Sequence, residues 1–411
     1  MRFERARAHK LFLIFIVALV FRLTLLAGWY AAGQGEHLSA DSTLHIKIAQ
    51  SLAAHEGFSV NGVPVFRRVP VYAAILSLAV RAGVFPLAIQ LLQVLLGALS
   101  CLLLIAIGNR MGAHRAGIFA GFLLAVDYLL AKQCVYILPE IVFVTLILAF
   151  FYFWFNAVCN ASVSSFAAAG VLAGLSVLTK EVLFLFYPGM AVMYIFTSRH
   201  RLKGLRAALI FLTAYVVCLM PWVARNSQLE GRFALLTNSS GLTFYLGNNP
   251  TVRPRLYGGD WIRGIDTVSP TAADIAAANA TGDPDRWYSQ QAILSIREHP
   301  LDFVKNMSFK AARLWYPFYH KAPLWAKWVA GLPYTAMALL ALFGAGLTRT
   351  RWRDFLPCYL LIIYLTAVHA VTIPGIRYRY PAVPFLMLFA GFGLQQIWLQ
   401  VKSKMARIGP T

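Results

Sequence analysis

Predominantly apolar runs long enough to cross a bilayer recur along this sequence, as in 11–32 and 85–108. A spanning helix needs roughly 20 such residues, because the hydrocarbon core of a membrane is about 30 Å thick. Hydrophobic residues make up 59% of the 411-residue chain, which is more than a soluble protein of this size can cover with polar groups. The sequence therefore predicts an all-α polytopic membrane protein.

The apolar runs predict about ten spans. The candidates are 11–32, 85–108, 116–130, 138–158, 166–179, 182–197, 207–224, 327–347, 355–373 and 382–400. The polar connections between them divide the chain into three parts. We expect a transmembrane catalytic core over 1–224, an extracytoplasmic domain over 225–326, and a C-terminal transmembrane segment over 327–411.

The basic residues predict the orientation of these spans. Lys and Arg are concentrated between the apolar runs, and the net charge is +21. The positive-inside rule then places both termini in the cytoplasm, where every predicted inside segment is basic except 159–165. Insertion topology accounts for the charge, so no nucleic-acid partner is expected. We expect a multi-pass protein of the plasma membrane, in bacteria the inner membrane.

Two segments, 33–84 and 225–326, face outward in this topology and are too long to be turns. In the first, an amphipathic helix is predicted from about 41 to 55, because apolar residues recur there with helical spacing. Residues 70–82 are apolar but too short to span, so they predict a second helix lying in the membrane interface.

The second outward segment predicts a small mixed or helical domain. It is rich in turn-forming residues and has two predicted helices, near 270–280 and 285–315. It is too polar to lie within the membrane.

Two carboxylates stand at the outward ends of predicted helices. Asp41 opens the first interfacial helix, where it suits either a helix cap or a general base that takes a proton from an acceptor hydroxyl. His45, one turn later, either assists it or faces water. Glu140 follows Pro139 at the start of a span, which is ordinary capping chemistry. A carboxylate at that depth can also orient a sugar hydroxyl, pair with a lysine, or hold a divalent metal.

Basic residues occur at the same ends of the spans and are candidates for binding a phosphate. Arg67 and Arg68 suit a bound phosphate or lipid headgroups. Lys180 either compensates the adjacent Glu181 or supplies a point charge to a phosphate. Arg225 stands where a span leaves the membrane, so interfacial anchoring also explains it.

The strongest local signal is the sequence RYRYP at 377–381. Arg377, Tyr378 and Arg379 lie on a short outward connection, where basic residues oppose the orientation bias. Another requirement must keep them there, and we expect an anion-binding surface.

Taken in order, these segments resemble the polytopic glycosyltransferases of the C-type fold, and most closely the branch of protein O-mannosyltransferases and lipid A aminoarabinose transferases. The resemblance covers nearly the whole chain. Besides Asp41 and Glu140 it rests on RRVPVY (67–72), GLSVLTKE (174–181), PWVARN (221–226), GLTFYLGNNP (241–250), HPLDFVKNMSFKAARLWYP (299–317) and RYRYPAVPFL (377–386).

The resemblance implies a polyprenyl-phosphate-linked sugar as donor, catalysis on the outer face, and Asp41 as the base. A single displacement then inverts the anomeric carbon. The acceptor is a glycan, lipid or protein hydroxyl, and we expect His45, Asn248 and Asn249 to contact the acceptor or the sugar. No cofactor is certain; a divalent metal is possible, with Asp41 or Glu140 as its ligand. In a departure from many relatives, Ser42 rather than a second acid follows Asp41.

A lipid-linked sugar flippase is the main alternative, because it would also be polytopic and basic. Such a transporter should place its ionisable groups near the middle of the membrane, between symmetric broken helices. The candidate residues in this sequence lie instead at the ends of spans, and no inverted repeat is evident.

Overall fold

The computed structural model describes residues 2–35, 40–250, 252, 269–318 and 324–408. Within these residues the chain forms 17 α-helices and one antiparallel hairpin of two short strands, β1 (Ser59–Val60) and β2 (Val63–Pro64). The helices are α1 (Arg2–Ala31), α2 (Ala40–Ala53), α3 (Pro70–Arg81), α4 (Leu87–Arg110), α5 (His114–Val126), α6 (Tyr128–Gln133), α7 (Glu140–Asn160), α8 (Val163–Val177), α9 (Phe186–Thr197), α10 (Arg201–Glu230), α11 (Ser240–Asn248), α12 (Ala272–Ala280), α13 (Pro284–Glu298), α14 (Pro300–Trp315), α15 (Leu324–Leu347), α16 (Trp352–Val371) and α17 (Val383–Ile408).

The predicted all-α membrane fold is confirmed, but the number of spans is not. Seven helical stretches in the described residues are long and apolar enough to cross a membrane: Ala8–Ala31, Leu87–Arg110, Glu140–Asn160, Arg201–Glu230, Lys327–Leu347, Arg349–Val371 and Val383–Met405. The other three predicted spans correspond to shorter apolar helices, namely His114–Val126, Val163–Val177 and Glu181–Thr197. The seven long helices make the chain a multi-pass membrane protein.

Close helix contacts hold two of the short helices inside the bundle. A Cβ atom at Gly170 of α8 would lie 2.4 Å from the carbonyl oxygen of Phe211 in α10, and one at Gly391 of α17 would lie 2.2 Å from that of Ala116 in α5. Only glycine allows backbones to approach this closely, and small residues at helix contacts are typical of membrane bundles.

A buried arginine caps the end of α5. Arg22 lies within the span of α1, is 1% exposed, and donates hydrogen bonds to the carbonyl oxygens of Leu124 and Ala125, each at 3.0 Å. Carbonyl groups at the end of a short helix have no partner in lipid and must be satisfied by the protein. Arg22 supplies that partner, so its charge in a span has a structural explanation.

Both helices expected in 33–84 form, as α2 and α3. In 225–326, the helix expected over 285–315 divides into α13 and α14 at Pro300, because a proline disfavours helical geometry in the residue before it. Helix α10 continues to Glu230, beyond the boundary expected at 224. Residues 36–39, 251, 253–268 and 319–323 of these segments lie outside the described residues.

Candidate active site

A cavity of about 450 Å³ opens at the end of the bundle where α7 begins and where α8 and α16 end. Four cationic and three acidic side chains line it among the described residues: Arg67, Arg68, Lys180, Arg377, Asp41, Glu140 and Glu181. Its volume lies in the range of small-molecule sites. Most of the charged residues predicted from the sequence therefore meet in one place, although they come from distant parts of the chain.

Asp41 lies in the first turn of α2, and arginines hold both of its carboxylate oxygens. Arg68 donates to one oxygen at 3.1 Å, and Arg377 donates to the other. Burial alone would raise the pKa of Asp41, but the charges of Arg377 and Arg68 outweigh it and hold that pKa below its ordinary value of 3.8. Asp41 is therefore ionised at neutral pH.

The second acid in the cavity, Glu140, is paired with Lys180. Their charged atoms lie 3.2 Å apart, and Glu140 is only 3% exposed. Lys180 thus pairs with Glu140 rather than with its neighbour Glu181. The other carboxylate oxygen of Glu140 has no hydrogen-bond partner among the described residues, which leaves an acceptor unused in the wall of the cavity.

An aromatic pair supports Lys180 from the opposite side. Its ammonium lies 5.1 Å from the ring centroid of Tyr378, within the range of cation–π attraction. Tyr378 in turn stacks on His369 with ring centroids 4.6 Å apart and planes at 4°. His369 was not among the residues predicted from the sequence. A histidine near the end of an apolar span nevertheless indicates a candidate site residue.

His45 also lines the cavity, as a neutral group. It is 4% exposed and packs edge-on against Tyr72 at 5.3 Å. Burial, assisted by the nearby charge of Arg68, lowers the pKa of His45 to about 4. Its Nδ1 atom has no hydrogen-bond partner among the described residues. The side chain can therefore exchange a hydrogen bond with a ligand but carries no charge at neutral pH.

Arg67 stands at the junction of two cavities. Its side chain is exposed and makes no hydrogen bond or ion pair with the described residues, unlike Arg68. Arg67 and Leu242 line both the cavity of Asp41 and a neighbouring groove of about 930 Å³. Tyr288 and Phe66 belong to the walls of that groove.

Hydroxyl groups that the sequence reading did not single out form another wall. Thr237, Ser239, Ser240 and Thr243 line the cavity around the start of α11. The sequence signal there was only turn composition, which does not distinguish a binding wall from an ordinary loop. Such hydroxyls both donate and accept hydrogen bonds.

Two arginines expected at a phosphate lie elsewhere, and these expectations are corrected. Arg379 is fully buried, donates to the carbonyl oxygen of Tyr316 at 2.6 Å and covers the ring of Tyr334 at 3.7 Å. Arg225 donates to the carbonyl oxygens of Phe58 and Val65 at 2.9 and 3.2 Å. Both guanidinium groups hold backbone of other segments in place, since free carbonyls there need donors.

Asn248 and Asn249 also lie outside this cavity. The amide of Asn248 donates to the carbonyl oxygen of Val371 at 2.8 Å, and its oxygen accepts from the buried Lys310 at 2.9 Å. Asn249 donates to the carbonyl oxygen of Tyr245 and faces a separate cavity. Asn248 thus joins α11 to α14 and to the end of α16, whereas the hydrogen bond of Asn249 returns to α11. Their contact with the sugar stays a prediction.

The donor set of the cavity does not suit a divalent metal. The described residues contain no group of three His, Cys, Asp or Glu side chains placed to hold one. Asp41 and Glu140, either of which could be the ligand of a metal, already face Arg68, Arg377 and Lys180. A metal ion would have to compete with these fixed cations for both carboxylates.

The fold matches that of a known membrane enzyme. The archaeal oligosaccharyltransferase AglB from Archaeoglobus fulgidus, in its apo form, superposes with a TM-score of 0.57 at 13% identity, over 97% of this chain and 52% of that one. The same protein in complex with an inhibitory peptide and a dolichol-phosphate gives a TM-score of 0.55 at 13% identity, over the same shares of the two chains. This chain has the C-type glycosyltransferase fold. It spans about half the length of the oligosaccharyltransferase.

A sequence family model matches part of the chain. Residues 67–224 match the family model of dolichyl-phosphate-mannose-protein mannosyltransferases, and this match includes Arg67, Arg68, Glu140 and Lys180. A weaker superposition, on apo ArnT from Cupriavidus metallidurans, has a TM-score of 0.43 at 16% identity over 94% of this chain and 78% of that one. Among proteins of curated function, no sequence matches this chain.

Proposed function

We propose that this protein is an inverting glycosyltransferase that moves a sugar from a polyprenyl-phosphate donor to a hydroxyl of a glycan, lipid or protein. The observation that carries the proposal is the cavity in which Asp41 lies between Arg68 and Arg377, beside the pair of Glu140 and Lys180. The C-type fold and the mannosyltransferase match over 67–224 support it.

In this proposal the cations bind the phosphate of the donor. Arg377, Arg68 and Lys180 surround one end of the cavity, while the lipid chain of the donor lies along the bundle. Negative charge on the phosphate grows as the sugar leaves, so fixed cations stabilise the transition state more than the bound donor. Tyr378 contributes by holding Lys180 in place.

Asp41 acts as the base. The acceptor oxygen attacks the anomeric carbon from the face opposite the phosphate and forms the new glycosidic bond. Its proton passes to Asp41, and the electrons of the broken carbon–oxygen bond stay on the phosphate as polyprenyl phosphate leaves. One displacement inverts the anomeric carbon and needs a single carboxylate base, unlike the two carboxylates of hydrolases.

Arg68 and Arg377 cannot make all of their hydrogen bonds to Asp41 and to a donor phosphate at the same time. In the structure these arginines lower the basicity of Asp41. A donor phosphate competes for Arg377 and Arg68, and the carboxylate then regains basicity when both substrates are present. This competition confines proton removal to the donor complex.

The remaining groups are assigned to the sugar and the acceptor. The free oxygen of Glu140 and the neutral ring of His45 suit sugar hydroxyls after small side-chain movements. The groove at Arg67 and Tyr288 is the proposed approach of the acceptor, because Arg67 and Leu242 line both the groove and the cavity of Asp41.

We further propose that the site faces outward from the plasma membrane, in bacteria the inner membrane, with both termini cytoplasmic. Charge counts in the connections support this orientation. In this arrangement 1–224 and 327–411 form the transmembrane part, and 225–326 stands above the site.

A transfer assay tests the proposal. Purified protein is incubated with radiolabelled polyprenyl-phosphate monosaccharides and a membrane extract that supplies acceptors. We expect label to move to an acceptor with the wild type, and not with Asp41→Asn, which should still bind donor.

Asp354→Asn, which alters an exposed acid paired with Arg351 at 2.9 Å, is the matched control and should transfer normally. If Asp41→Asn transfers at the wild-type rate, the assignment of the base is wrong. Label that only crosses vesicle membranes would favour the flippase.

A further inference from the structure

A buried glutamine on α4 binds the chain segment that leads into Glu140. Gln93 is fully buried, and its amide nitrogen donates to the carbonyl oxygens of Cys134 at 3.0 Å and Tyr136 at 2.8 Å. Its amide oxygen accepts a hydrogen bond from the hydroxyl of Tyr72 at 2.9 Å. Every polar atom of this side chain is therefore used, which gives it a single orientation.

A second glutamine repeats the arrangement one turn earlier on the same helix. Gln90 donates to the carbonyl oxygen of Val135 at 2.8 Å and accepts from the hydroxyl of Tyr30 at 2.6 Å. The three successive carbonyl groups of residues 134–136 thus all accept from glutamine amides of α4.

The segment held in this way determines where α7 starts. Residues 134–139 connect α6 to α7 without regular secondary structure, and α7 begins at Glu140. An irregular segment at this depth is held only by groups that the protein supplies, since lipid offers no hydrogen bonds. A shift of this segment moves Glu140, and with it the partner of Lys180.

The other end of the network contacts the helix of Asp41. The ring of Tyr72 on α3 packs edge-on against His45 of α2, with centroids 5.3 Å apart. Asp41 lies one turn before His45 on that helix. Tyr72 and Gln93 therefore connect Asp41 and Glu140 through buried contacts, although neither Tyr72 nor Gln93 lines the cavity.

We propose that Gln93, together with Tyr72, is a positioning residue that sets Glu140 and Lys180 against Asp41. This inference rests on the proposed transfer reaction, in which both carboxylates face the same sugar. A displacement of about 1 Å at a reacting centre can cost roughly 100-fold in rate. Loss of the network should therefore lower turnover while the protein stays folded.

Three variants test this role. Gln93→Met keeps the volume and removes the hydrogen bonds, and Tyr72→Phe removes only the hydroxyl. Ser100→Ala is the control, because Ser100 is a buried residue of the same helix whose hydroxyl contacts Thr145 of α7 at 2.9 Å, away from the 134–139 segment. Turnover at saturating donor, the KM for donor, the Tm in detergent and amide hydrogen exchange over 134–140 are measured for each.

In Gln93→Met we expect turnover to fall about 10- to 100-fold, with a much smaller change in KM because Arg68 and Arg377 are untouched. Tyr72→Phe should act in the same direction but less strongly. Exchange over 134–140 should become faster in both, and Ser100→Ala should resemble the wild type in exchange and turnover. A purely structural role would instead lower Tm without changing the turnover of the folded fraction.

Two results would overturn the positioning role. One is unchanged exchange over 134–140 in Gln93→Met, and this readout holds even if the wild type transfers no sugar. The other is faster exchange with unchanged turnover. An inactive wild type would reject the proposed function, while the exchange measurement would still decide whether Gln93 orders the segment before Glu140.

Discussion

Arg377 forms an ion pair with Asp41, which lies 336 residues earlier in the chain. The pair joins the first turn of α2 to the 3-10 turn Ile376–Arg379 that precedes α17. Arg379, on the same turn, faces away and binds the end of α14. Neighbouring arginines thus have separate roles, one in the cavity and one in the framework.

These two arginines make a matched pair for mutation. Arg377→Lys should lower transfer about 10- to 100-fold, because one ammonium replaces a guanidinium whose charged hydrogen bonds contribute roughly 1.5–3 kcal/mol each. Arg379→Lys should mainly lower the Tm, because a lysine reproduces neither its carbonyl contacts nor its stacking on Tyr334. Transfer rate, donor KM and Tm in detergent are measured for both. Equal effects of the two changes on donor KM would contradict the division of roles.

Removing one member of the Glu140–Lys180 pair should cost more stability than removing the charge of both. Lys180→Met leaves Glu140 buried without its hydrogen-bonded counter-charge, and losing one partner of a buried pair typically costs about 3–5 kcal/mol. The double variant Glu140→Gln/Lys180→Met has no unpaired charge and should recover most of the lost Tm. It should remain inactive, since the phosphate then lacks its lysine. A double variant no more stable than Lys180→Met would show that the pair does not act as a unit.

The buried His45 should make stability depend on pH between about 4 and 6.5. Burial lowers the pKa of His45 from 6.5 to about 4, so in this range the unfolded chain binds more protons than the folded one. Stability from this group is therefore complete above pH 6.5 and is lost as the pH falls toward 4. The Tm of the wild type should decline over this window more steeply than that of His45→Gln. His200→Gln, which alters an exposed histidine, should follow the wild type, and identical curves for all three proteins would refute the assignment.

Removal of divalent metals should leave transfer unchanged. Asp41 and Glu140 are each paired with protein cations, and these cations take the place that a metal would occupy next to a phosphate. The assay is run with excess chelator and then with added magnesium or manganese. Activity that disappears with chelator and returns with metal would show that the ion pairs rearrange around a metal when donor binds.

Much of the fold follows from local sequence pattern. Apolar runs of spanning length mark helices because lipid requires every backbone group to be paired internally. The short apolar runs 116–130 and 166–179 have the composition of a spanning helix but not its length, so the local pattern does not establish them as spans. Contacts such as Gly170 against the backbone of α10, which no local pattern reveals, hold the shorter helices in the bundle.

The sequence alone determined which side chains were candidates for the site. Charges are costly at membrane depth, so Asp41, Glu140, Lys180 and Arg377 at the ends of apolar runs required an explanation. Only the tertiary structure decided which of the candidates meet. In a short turn, successive side chains point in different directions, and each is held by partners from distant elements, so Arg377 reaches Asp41 while Arg379 reaches Tyr316. That choice depends on how the helices pack together, because a partner 336 residues away leaves no trace in the local sequence.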